Sequence, residues 1–167
     1  DITARERDRA ELAAAARRNQ FRAQLTDAFR RNVDPLAVQH VAAQLLAEHL
    51  DATRVQYADV DDDAAFGAIA LDAHDDVTSV AGRHRLDHFG PVVFDDVRVG
   101  RTAIVHDVET DPRLDDDHRA ATRRLGVGAY VLVPFLFDER LVAVFAVHHG
   151  TSRAWTPNEV LLIEETA

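Results

Sequence analysis

The sequence predicts an α+β fold: one antiparallel sheet with helices packed against it. Three observations predict this. The stretch 4–31 is rich in Ala, Arg, Glu and Gln and holds no Gly or Pro, a helix-forming composition. Two β-rich runs, Tyr130–Phe137 and Leu141–His148, are separated only by a short turn around Asp138-Glu139, which makes a hairpin. Thr156-Pro157-Asn158-Glu159 then forms a capping box with Pro in the first turn, so a further helix follows the hairpin.

The remaining elements follow in chain order. In the first helix Phe21, Leu25 and Phe29 are spaced by four and form one apolar stripe, preceded by the thinner seam Leu12 and Ala13–Ala16. Asp34-Pro35 reads as an N-cap followed by Pro at the first helical position. The helix it opens runs to about Leu50, with Val38, Val41, Ala42, Leu45 and Leu46 on one face. Thr53–Val60 and Phe66–Leu71 read as strands around the polar turn Asp61-Asp62-Asp63, and Val77–His84 as a ragged third. Pro91 starts a short helix carrying Val92, Val93 and Val97, which Gly100 stops. Thr102–Val108 reads as a strand and Asp115–Leu125 as a helix, acidic at its start and basic at its end, as the helix dipole favours. Both hairpin strands are nearly continuous in apolar residues, so both faces are expected to be covered.

The bulk properties exclude several classes of function. The 167 residues suffice for one domain with flanking helices. A net charge of −10, with basic residues dense only in the first helix, opposes a nucleic-acid footprint. No apolar run approaches the roughly 20 residues that span a bilayer. Cysteine is absent, which removes disulfides, thiolate metal sites, Cys nucleophiles and thioether attachment, and agrees with a cytoplasmic setting. The chain does not begin with Met and both ends read as helix, so a piece of a longer protein is expected.

Several phrases together resemble the GAF family of sensory domains. They are Gly100-Arg101-Thr102 leading into Ile104-Val105-His106-Asp107-Val108, then Asp111-Pro112-Arg113-Leu114 and Leu125-Gly126-Val127. Val133-Pro134-Phe135, Arg140-Leu141-Val142-Ala143-Val144-Phe145 and Trp155-Thr156 before Glu159 complete the set. The resemblance covers 34–167 as a sensory domain, with 1–33 as a signalling and dimerisation helix and the final helix, 156–167, leading toward a downstream domain. It implies about six antiparallel strands, terminal helices on one face, and short helices and loops over a pocket on the other. It further implies a cytoplasmic signal-transduction protein, a bacterial histidine kinase above all, acting as a homodimer through its terminal helices. A ligand-free dimerisation scaffold of the same fold is the alternative.

The residues narrow the ligand. The chain has no Lys, which the cyclic-nucleotide signature of such domains requires, and it has Asp111-Pro112 without the Asp-Ile-Pro phrase of bilin-binding members. With no cysteine, covalent bilin attachment within this segment is set aside and the cofactor is left unknown. His148 and His149 are strand neighbours on opposite faces and cannot chelate one ion, so no metal is expected. Asp107, Asp111 and His118 lack the nucleophile elbow or phosphate loop of a catalytic site, so the segment is read as non-catalytic. The candidate ligand contacts pair an apolar body with a polar tip: Tyr57, Arg83, His88, Phe89, Arg113, His118 and Tyr130. A small-molecule pocket is expected between the sheet and the stretch Val80–Leu125; neither nucleic acid nor membrane insertion is.

Overall fold

A computed structural model describes residues 2–61, 66–69, 72–74, 81–86 and 90–167. The elements are α1 (Ile2–Arg31), α2 (Pro35–Leu50), β1 (Arg54–Val60), β2 (Phe66–Ile69), β3 (Asp72–His74) and β4 (Gly82–Arg85). They continue as α3 (Pro91–Arg98), β5 (Ala103–Val105), α4 (Asp116–Arg124), β6 (Ala129–Phe137), β7 (Arg140–His149) and α5 (Pro157–Thr166). The sheet runs β4-β2-β1-β7-β6-β5, and β3 pairs with β1 beside β2. All of its pairings are antiparallel, so the α+β class read from the sequence stands.

The caps read from the sequence at Asp34 and Thr156 form, and Asp115, read as the first residue of a helix, caps it instead. The Asp34 side chain accepts the Leu36 N–H, Asp115 accepts the His118 N–H, and Thr156 and Glu159 close a reciprocal capping box. Asp138 and Glu139 both take left-handed backbone (φ 49° and 62°), which matches the twist of the strands they join.

The two central strands, β1 and β7, are covered on both sides. On one side Val55, Val131, Val133, Phe145 and Val147 meet Phe21, Leu46, Leu50, Leu162 and Ile163 from α1, α2 and α5. On the other side Tyr130, Leu132, Val144 and Ala146 meet Val93, Phe94 and Val97 of α3, with Leu114 and Val127.

Three expectations change. The α1 stripe is Phe21, Leu25 and Ala28, whereas Phe29 is 44 % exposed. At 3.6 residues per turn a step of seven returns to within about 20° of Phe21, while a step of eight overshoots by about 80°. The strand expected over Thr102–Val108 shrinks to three residues. Asp107 ends it by accepting the Glu109 N–H and the Thr110 hydroxyl, and the Val108 N–H goes to Gly128. The hairpin is covered on both faces only away from its turn. Leu136 and Phe137 at its tip are 43 % and 67 % exposed.

Candidate functional site

Side chains alternate along a strand, so Arg54, Gln56 and Ala58 of β1 point to the α3/α4 face while Val55 and Tyr57 point to the α1/α2/α5 face. Cross-strand register then builds a polar row: Arg54 lies opposite His148, and His148 opposite Tyr130. Gln56 occupies the next row, opposite Ala146, which lies opposite Leu132. All four polar residues are buried.

The row is partly satisfied. Arg54 donates to the Leu125 carbonyl at 3.3 and 3.4 Å, where α4 ends, and lies 3.4 Å from His148 Nδ1. The Tyr130 and His148 rings meet in a T-shaped contact. Tyr130 Oη and Gln56 Oε1 have no hydrogen-bond partner among the described residues despite their burial. Burial pushes the Tyr130 phenol well above its ordinary range, with Arg113 and Asp111 acting on it in opposite directions. Thr122, Leu125, Val127, Tyr130, Leu132 and His148 enclose a recess of about 10 Å³, room for at most one water.

The candidates named from sequence fall into separate places. Tyr130 belongs to this row. Arg113 clamps Asp111 through Nε (2.9 Å) and Nη2 (2.6 Å) and donates to the Ile104 carbonyl. Those hydrogen bonds hold the Asp111 carboxyl below its usual range against the opposing effect of burial. Arg113 therefore pins the loop after β5, within electrostatic reach of Tyr130. His118 is buried on α4, one turn before Thr122, with its ring against the capping carboxylate of Asp115.

Tyr57 lies on the opposite face from Tyr130. Its ring packs 4.5 Å from Phe145, its phenol is pushed up to about 12 by burial, and it lines a groove of about 300 Å³ with Phe29, Val38 and Phe135. Arg83 sits on the edge strand β4, paired with Asp61 and separated from β6 by three strands. His88 and Phe89 lie outside the described residues. The sequence reading thus pooled side chains from both faces of the sheet, and it missed Arg54, Gln56 and His148. The signal is present in the sequence: Arg54 and Gln56 alternate with Val55 and Tyr57 along one strand.

Among the described residues, no three His, Asp or Glu side chains gather as a metal site would require, and no helix is long and apolar enough to cross a membrane.

The GAF domain family model matches residues 34–167. The chain belongs to the GAF family. No curated protein matches it in sequence. Several solved GAF domains share the fold. The blue-light absorbing form of the Thermosynechococcus elongatus PixJ GAF domain is 22% identical, with a TM-score of 0.67 over 78% of this chain and 79% of that one. The phycoerythrobilin-bound GAF domain of a cyanobacterial phytochrome is 15% identical, with a TM-score of 0.74 over 89% of both chains. The phycocyanobilin-bound form is 16% identical, with a TM-score of 0.73 over 89% of this chain and 90% of that one. At these identities the likeness is one of fold.

These neighbours correct the sequence reading of the cofactor. That reading left it unknown and set aside covalent bilin attachment within this segment for want of a cysteine. The phycoerythrobilin-bound and phycocyanobilin-bound GAF domains, which match over 89% of this chain, show the same fold built around a bilin. Composition and short phrases weigh the mode of attachment; the match rests on the three-dimensional arrangement of sheet and covering helices, which they do not encode.

Proposed function

We propose that this GAF domain is a non-catalytic sensory module whose ligand, of bilin type, binds against the polar row on the α3/α4 face. The observation that carries this reading is the pair of buried, unpartnered atoms Tyr130 Oη and Gln56 Oε1 on that face. A buried polar atom without a partner costs about 1–3 kcal/mol, which a ligand bringing the missing partner would return. A linear tetrapyrrole has a flat apolar body, pyrrole N–H groups, lactam carbonyls and propionates. It could donate to Gln56 Oε1 and accept from Tyr130, beside the Arg54 and His148 of the same row. Arg113 and His118 serve the site from behind, holding the β5–α4 loop and the first turn of α4 in place.

The chemistry of the row fits such a ligand, while a recess of about 10 Å³ does not contain one. Binding must therefore part the Leu125–Val127 layer from the sheet, and that displacement is the means of signalling. Arg54 joins the end of α4 to β1, and β1 carries Val55 against the helices of the opposite face. A ligand shifts such an equilibrium by its differential affinity for the two arrangements. In this reading residues 1–33 form the dimerisation helix of a homodimer and 34–167 the sensory domain, in a cytoplasmic histidine kinase. The Arg22–Glu165 pair ties α1 to α5 and supports joint movement of the two helices.

Absorption titration with biliverdin and phycocyanobilin tests the proposal, together with native mass spectrometry of the purified chain. Saturable red-shifted absorbance, weakened in Tyr130→Phe, is expected; unchanged bilin spectra and a chain free of small molecules refute it. The tightness of the recess favours a second reading, a ligand-free dimerisation scaffold. It requires hydrogen exchange over 90–125 to be as slow as in the β6–β7 hairpin.

A further inference from the structure

A second site lies on the opposite side of the molecule, where α1, the end of α2 and the start of α5 converge on a cleft of about 290 Å³. Ala14, Arg17 and Arg18 come from one face of α1, at spacings of three and four, and the small Ala14 leaves the space open. His49 comes from the last turn of α2, its ring tilted against Phe21 with centroids 4.9 Å apart, and Asn158 and Glu159 from the first turn of α5.

The charge on this cleft is unusual for a chain of net charge −10. No acid occurs in α1 between Glu11 and Asp27, and of the three arginines in that interval Arg22 alone has an acidic partner among the described residues, Glu165. Arg17 and Arg18 have none there. Glu159, the one acid on the cleft, is already engaged: it pairs with Arg153 at 2.7 Å and accepts from the Thr156 N–H and hydroxyl. Burial raises its carboxyl, but those hydrogen bonds outweigh burial and hold it low. The start of α5 adds the positive end of a helix dipole. Two unpaired guanidiniums, an imidazole and a helix N-terminus around one cleft match a compact multivalent anion, because guanidinium recognises phosphate oxygens with paired donors.

We propose that this cleft binds a phosphate group, free or carried by a small phosphorylated molecule, between Arg17, Arg18 and His49. The site joins the three helices whose packing is expected to carry the signal, so occupancy would brace α1 against α2 and α5. It is independent of the bilin reading and lies across the sheet from the polar row.

His49 supplies the readout. Its pKa is held below the ordinary imidazole range, by burial first and by Arg17 second. The titratable groups that line the cleft with it are Arg17, Arg18 and Glu159. An added anion favours the imidazolium, so binding should raise the His49 pKa and tighten as pH falls through it. The experiment titrates the full chain with orthophosphate and with pyrophosphate at low ionic strength, following the His49 ring signals by NMR and binding by calorimetry. Saturable binding is expected, pyrophosphate tighter than orthophosphate if the site is built for a phosphorylated molecule and equal to it if for the free ion. R17A and R18A should each weaken binding about tenfold. Arg17→Gln and Arg18→Gln serve if truncation disturbs α1, since they remove the charge and keep most of the stem. Arg9→Ala, on the exposed part of α1, should leave binding within twofold. The proposal is overturned if neither anion moves the His49 signals saturably. It is equally overturned if the Arg17 and Arg18 variants bind as the parent does, or if Arg9→Ala weakens binding as much as they do. Bilin titrations run alongside report on the polar row separately.

Discussion

Replacing Tyr130 with Phe should stabilise the ligand-free domain, contrary to the usual effect of a buried substitution. The ring stays, packed among Val105, Leu132 and Ala146, and only an oxygen is removed. That oxygen is buried without a partner. Leaving a hydroxyl so costs about 1–3 kcal/mol, whereas deleting one that is hydrogen-bonded loses about 1 kcal/mol. Allowing a few tenths for the vacated volume, the variant should gain about 1 kcal/mol. For a chain of this size that is about 2–4 °C in Tm. The same change should weaken a ligand that accepts from Tyr130 by about tenfold. Urea unfolding followed by circular dichroism, with m compared between variants, measures the first effect, and bilin titration the second. A loss of 1 kcal/mol or more on Tyr130→Phe would refute the reasoning, because it would mean that the hydroxyl is satisfied in solution. Higher stability with unchanged ligand affinity would remove Tyr130 from the site.

Three further outcomes follow from the same geometry. Arg54→Ala should destabilise by on the order of 3 kcal/mol in urea melts, since it leaves the Leu125 carbonyl without its guanidinium donor and opens a cavity between β1 and α4. Asp111→Asn should flatten the acid limb of the stability profile. The folded pKa of Asp111 lies below its unfolded value, so its contribution is present above about pH 4 and is lost as pH falls through the folded value; thermal melts from pH 7 to pH 3 check this. Gly128→Ala should cost on the order of 2 kcal/mol, because its Cβ would lie 2.5 Å from the Thr151 main chain, and a thermal shift assay reads it directly.

Much of the fold was legible because it is decided locally. The caps at Asp34 and Thr156, the Asp138-Glu139 turn and the positions of the five helices each depend on a few adjacent residues, and the sequence shows each of them. The edges were less legible. Thr102–Val108 has strand composition throughout, yet Asp107 turns the chain after three paired residues, and Asp72–His74 gains its strand character by pairing with β1. Of the candidates read from the sequence, Tyr130, Arg113 and His118 lie on the side of the proposed site and Tyr57 and Arg83 elsewhere, because the residues' chemistry is legible but the face each one meets is not.

The sequence by itself determined which residues alternate along β1, with Arg54, Gln56 and Ala58 on one face and Val55 and Tyr57 on the other. Tertiary structure alone decided what each face would meet. Arg54 is buried because β1 pairs with β7, 94 residues away, and because the end of α4 closes over it. Period-two patterning carries two faces but no record of what covers them. A strand covered on both sides can hold polar residues on either face, provided a distant segment supplies partners. That distant supply placed Arg54, His148 and Tyr130 in one row, and it left Tyr130 Oη and Gln56 Oε1 without partners among the described residues.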